Sequence, residues 1–101
     1  MLIYNITYSV SIDIHESWLQ WMTKVHIPEL METGMFVKNQ VLRLREVDEE
    51  DAFTYAIQFF SATEEDYRTY IKEHAPKLKL KSSEKWGEKV IAFRTLMEIV
   101  Q

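Results

Sequence analysis

The chain has 101 residues, 16 acidic and 12 basic, for a net charge of −4, with 47% hydrophobic residues and no cysteine. This is the composition of one globular domain, which at this size buries roughly 65% of the surface its unfolded chain exposes. The acidic balance offers no electrostatic footprint for a phosphate backbone, and the missing cysteines exclude disulfides, thiolate-held zinc and thiol nucleophiles.

Leu2 to Ile12 alternates apolar and polar residues, with Tyr4, Ile6, Tyr8 and Val10 on one face and Asn5, Thr7 and Ser9 on the other, which predicts a half-buried strand. The start has no basic region before its apolar residues and polar ones interrupt them, so neither a signal peptide nor a membrane span is expected, and a cytoplasmic location is. Asp13 stands three residues before Glu16, the spacing of a capping box with Asp13 as N-cap. Ile14, Trp18, Trp21, Met22 and Val25 then recur at helical spacing as one apolar stripe. Pro28 lacks an N–H and disfavours helical torsions at Ile27, so "KVHIPEL" reads as a helix-break motif centred on His26 and Pro28. Gly34 is the expected left-handed cap.

Phe36 to Val47 reads as a second strand and "DEEDAF" as a solvated acidic turn without the glycine of a calcium loop. Phe53 to Phe59 alternates cleanly as a third strand. Thr63 to Asp66 predicts a capped second helix, whose stripe of Tyr67, Tyr70, Ile71, His74, Ala75 and Leu78 is interrupted at Pro76; helical turns continue towards Trp86 and end at Gly87. The lysines from Lys72 to Lys89 read as a solvated helix face. The last strand is expected to bury Ile91, Phe93 and Met97, leaving Ala92, Arg94, Leu96 and Glu98 opposite.

Two successive strand–helix–strand units predict an α+β, ferredoxin-like βαββαβ domain over 1–101: a four-stranded antiparallel sheet with two helices on one face. The other face mixes Asn5, Thr7, Gln58, Arg94 and Glu98 with apolar residues. Such a face commonly meets a partner, which predicts a homodimer through the open sheet face. Arg94 and Glu98, with Asn5, Thr7 and Gln58, are placed either to orient a small anionic or polar ligand or to pair across the dimer.

The stretches "W-x-x-W…HIPEL…TGMF", "YAIQFF", "YRTYIKEHAPKL" and "FRTLMEIV" resemble the bacterial domain of unknown function 4286 family along essentially the whole chain. That family is similar to the dimeric α+β barrel superfamily, in which two ferredoxin-like subunits pack their sheets into a barrel. The resemblance implies the same dimer. The superfamily holds cofactor-free monooxygenases, polyketide cyclases, isomerases and members without known activity, and a fold does not fix a reaction.

Three histidines are available for chemistry. His15 lies off the first stripe and is expected at the surface. "K-x-H-x-P-x-L" occurs at Lys24–Leu30 and again 48 residues later at Lys72–Leu78. The two differ in helical phase: His26 sits at the edge of its stripe, whereas His74 sits near the centre of its own. This phase difference, with helices about 20 Å long, argues against a shared metal site. Tyr70 and His74, at i and i+4, share a face and form the candidate catalytic pair. Some cyclases of the superfamily use a tyrosine before a His-Pro-x-His run; here "YIKEHAPKL" has one histidine with the proline after it. The alternative for His74 is a packing histidine bonded to a carbonyl freed by Pro76. No phosphate loop, nucleophile elbow or dinucleotide fingerprint occurs. The sequence supports a small cytoplasmic homodimer, structural or binding a small organic ligand, with no cofactor or metal and no nucleic-acid or membrane partner. The alternative is a cofactor-independent monooxygenase- or cyclase-like enzyme using His74 and Tyr70.

Overall fold

The computed structural model describes residues 1–101. Strand β1 (Leu2–Ser11) leads into helix α1 (His15–Trp21), a π-helical turn (Met22–His26) and helix α2 (Ile27–Glu32). Strands β2 (Lys38–Arg43) and β3 (Ala52–Ser61) follow, then helices α3 (Glu64–Glu73) and α4 (Ala75–Trp86), and strand β4 (Val90–Glu98). The sheet is antiparallel in the order β2-β3-β1-β4, so the two longest alternating strands lie at its centre. This is the ferredoxin-like arrangement, with both helical segments on one face.

The core fills the space between sheet and helices. Tyr4, Ile6, Tyr8 and Val10 of β1 and Tyr55, Ile57 and Phe59 of β3 are buried under Trp18, Met22, Leu30, Tyr67, Tyr70 and Leu78. Trp18 is wholly enclosed between Tyr8 and Tyr55, at ring-centre distances of 5.2 and 5.4 Å.

The caps divide. Thr63 caps α3 as expected, its Oγ1 accepting from the Asp66 N–H at 3.1 Å. Asp13 caps nothing: it lies in a short 3₁₀ turn, and its carboxylate accepts from Ser11 and, at 2.7 Å, from Lys89 at the far end of the chain. Those partners hold it below the usual carboxylate range. Gly34 has φ +79° and Gly87 φ +55°, the left-handed region that glycine enters without a Cβ clash. Strand β2 is shorter than the sequence suggests. It stops at Arg43, whose guanidinium pairs with Glu49, and Glu46 turns the chain with φ +59°.

Two sequence expectations are overturned by packing. The first concerns Pro28. The chain does not break at His26; His26 and Ile27 keep helical torsions. Instead the helix widens, and the Ile27 N–H donates to the Met22 carbonyl five residues back. A π turn holds about one residue more than an α turn and makes room for the proline ring. The inserted residue also moves the stripe on by one. Val25 is pushed out to 45% exposure, while His26 (4%) and Leu30 (1%) take the inner positions.

The second concerns β4. Leu96 pairs with Tyr4, Arg94 with Ile6 and Ala92 with Tyr8. Directly paired residues share a face, so Val90, Ala92, Arg94, Leu96 and Glu98 stand on the helix side. Ile91, Phe93, Thr95 and Met97 stand on the open side, the reverse of the expected orientation. A one-residue difference in register turns every side chain over.

Candidate functional site

On the open face the polar residues of three strands form one row. Gln40 Nε2 donates to Gln58 Oε1 (2.7 Å), Gln58 Nε2 to Asn5 Oδ1 (3.3 Å), and Asn5 Nδ2 to Thr7 Oγ1 (3.1 Å). Three predicted site residues, Asn5, Thr7 and Gln58, therefore meet. Beside them Ile91 and Phe93 are 66% and 71% exposed, and Leu42 and Met97 keep more than a third of their surface in solvent. Arg94 and Glu98 do not join this row, because the register of β4 turns them to the other face. They also form no pair with each other: four strand residues separate them by about 13 Å, and neither makes a salt bridge.

On the helix face Arg94 reaches in towards α4. Its Nε donates to the Tyr4 hydroxyl at 3.1 Å. Burial pushes the Tyr4 phenol up, and Arg94 opposes part of that rise. Tyr8 and Tyr70, also buried near the guanidinium, are pushed up as well, by desolvation first. All three phenols are thus protonated at neutral pH. A cleft of about 280 Å³ opens above Arg94 between α4 and β4, and Lys79, Ser82, Ser83 and Gly87 complete its polar rim. The lysine series accordingly does more than solvate a helix: Lys81 pairs with Glu29 and Lys89 with Asp13, while Lys79 faces this cleft.

The two proline-motif histidines exchange the surroundings expected of them. His26 is buried, its ring stacked on Trp21 at 4.5 Å. Burial pushes the imidazole down to about 4; Glu29, at 4.0 Å from Nδ1, pulls the other way, and Lys81 and Arg94 add to the fall. Glu29 is held from outside by Lys81, 2.5 Å from its Oε2. His74 closes α3 with φ −118°, and the stripe resumes beyond it at Ala75 and Leu78. It is half-buried and lines an outer cleft of about 200 Å³ with Glu29, Glu73, Lys77 and Lys81. Tyr70 points the other way, into the core against Phe36 and Tyr4 (4.8 and 5.6 Å). Its ring stands 6.2 Å from that of His74, with no hydrogen bond between them, and Tyr70 does not line the cleft. His15, expected at the surface, is half-buried: its Nε2 lies 2.5 Å from the Tyr55 hydroxyl and its ring meets Phe53 edge-on. Nothing in the sequence marked that cross-element pair, which joins residues 40 apart.

No group of three His, Asp or Glu side chains is placed to hold a metal ion, and no helix is long and apolar enough to cross a membrane.

Residues 1–100 match the family described as a domain of unknown function (DUF4286). The chain belongs to that family. Among solved structures it is similar in fold to an ethyl tert-butyl ether d (ethd) family protein from Bacillus halodurans, with 13% identity and a TM-score of 0.69 over 99% of this chain and 100% of that one. It is also similar to a dimeric ferredoxin-like protein from an uncultured marine organism, with 13% identity and a TM-score of 0.68 over 100% and 96% of the two chains. A third likeness is to SnoaB, a cofactor-independent oxygenase from Streptomyces nogalater, with 11% identity and a TM-score of 0.65 over 99% and 94%. At these identities the likeness is one of fold. No curated protein matches the chain.

Proposed function

We propose that the protein is a cytoplasmic homodimer, closed sheet against sheet, in which each subunit holds a small organic molecule between its sheet and α4. The orientation of β4 carries both halves of this reading. It places Ile91 and Phe93 in solvent on the open face, and it turns Arg94 into the helix layer beside Tyr4. Exposed apolar side chains around an amide row whose members are bonded to one another form a surface that is cheap to bury. The dimeric state given in the description of the marine ferredoxin-like protein supports the same assembly.

Light scattering at tens of micromolar tests the dimer. Wild type gives twice the chain mass and Phe93→Asp gives the chain mass alone; a monomeric wild type overturns the reading. Native mass spectrometry of freshly purified protein tests the ligand half: a small organic molecule retained per subunit supports it.

The second reading is a cofactor-independent enzyme using Tyr70 and His74, supported by the 6.2 Å separation of their rings and by the fold shared with the SnoaB oxygenase. In that case His74→Ala abolishes turnover without lowering the melting temperature, whereas a packing role lowers the melting temperature.

A further inference from the structure

We propose that the cleft between α4 and β4 is an anion site, in which Arg94 and Lys79 receive the carboxylate or phosphate of a small organic molecule and Ser82 and Ser83 donate to it. The proposal rests on the ligand-holding reading above and names the chemistry of the ligand.

Charge is the first argument. The cleft is lined by two cations and two hydroxyls and by no carboxylate, in a chain with more acidic than basic residues. The outer cleft at His74 is the internal control: there the three carboxylates of Glu29, Glu32 and Glu73 outnumber Lys77 and Lys81, so an anion gains nothing by entering. Neither Arg94 nor Lys79 has a carboxylate partner, so both charges in the cleft are free to meet an anion.

Geometry is the second. The bond from Arg94 Nε to Tyr4 fixes the guanidinium and leaves its two terminal nitrogens without protein partners. A planar fork held in this way meets a carboxylate or phosphate with two parallel hydrogen bonds. Val90 and Ala92 complete the lining, and the nearby buried phenols of Tyr4, Tyr8 and Tyr70 stay protonated, so neither adds negative charge. The Lys79 ammonium is held below its usual range by burial and by the Arg94 charge, a repulsion that a bound anion relieves. At the rim, a Cβ built on Gly87 would meet nothing within 4 Å, so the mouth is open. A volume of about 280 Å³ lies at the lower end of ligand-site sizes and suits an anion with one ring or a short chain.

The test is a titration of the isotope-labelled protein with benzoate, inorganic phosphate and benzamide, followed by amide NMR. Benzoate is expected to shift Ser82, Ser83 and Gly87, and the uncharged benzamide to bind at least ten-fold more weakly. Arg94→Met and Lys79→Met should each weaken benzoate at least ten-fold, with Arg94→Lys retaining part of the affinity; two variants guard against misfolding of either. Phosphate shifting the same amides identifies a general oxyanion site, and benzoate alone one that also needs an apolar body. Benzamide matching benzoate, or both Met variants binding normally, overturns the anion site while leaving a ligand cavity. No shift with any probe overturns both.

Discussion

Arg94 and Tyr4 are 90 residues apart in sequence, yet the Arg94 Nε–H donates to the Tyr4 hydroxyl at 3.1 Å across neighbouring strands. The contact follows from the pairing of β4 with β1 and marks the side of the sheet on which Arg94 works. Because Arg94 opposes the upward push of burial on Tyr4, Arg94→Met should move the Tyr4 titration further up. Carbon NMR of the tyrosine ζ positions reads this directly; an unchanged Tyr4 would mean that the contact is absent in solution.

His26 makes stability depend on pH. Its folded-state value of about 4 lies below its ordinary 6.5, so between those values the unfolded chain binds more protons. Stability therefore rises with pH across this window and is lost as pH falls from 6.5 towards 4, by roughly 3 kcal/mol in full. Thermal melts at pH 7 and pH 4.5 should show a marked drop for wild type and a smaller one for His26→Gln. Glu29→Gln removes the group that pulls the imidazole up and should lower its titration point further.

The π turn reconciles Val25, which it leaves outside, with Pro28, which it accommodates. Deleting Val25 keeps Trp18, Met22, His26 and Leu30 on one α-helical stripe but places Pro28 inside a regular helix. That costs about 3 kcal/mol, and Pro28→Ala in the deletion variant should recover most of it. Chemical denaturation of the three chains measures the pair; no recovery would show that the bulge serves something other than the proline.

Gly87 has φ +55° and ψ −133°, a region closed to residues with a Cβ. No atom crowds the site, so Gly87→Ala should cost about 1–3 kcal/mol through backbone strain alone. Gly34 also has positive φ, +79°, and asparagine enters that region more readily than alanine, so Gly34→Asn should cost less. Equilibrium unfolding of both variants gives the order.

Gln58 bonds to both Gln40 and Asn5. Gln58→Leu strands their amides, at about 1–3 kcal/mol for each group left unpaired under a partner. The dimer dissociation constant should rise roughly ten-fold or more, while the same change on a face left in water would alter little. Sedimentation equilibrium decides between them.

The sequence by itself determined whatever is settled within a few residues. The period of two in β1 and β3, the Thr63 cap, and the stops at Gly34 and Gly87 are local consequences of side-chain alternation, an orphan N–H and a missing Cβ. Together they fix the element order and hence the ferredoxin-like sheet. Where one local signal has two physical answers, only packing chose. Pro28 can end a helix or widen it, and burying Leu30 with Trp18 and Met22 required the wider turn, which carried His26 inward. His74, with the same motif, fell at a real interruption and stayed half outside. In β4 apolar residues occur at both parities, so size favoured burying Phe93 and Ile91, but pairing with β1 turned them out and brought Arg94 to Tyr4. A strand's alternation says that it has two faces; which face meets the helices is decided by the hydrogen-bond register of its neighbour.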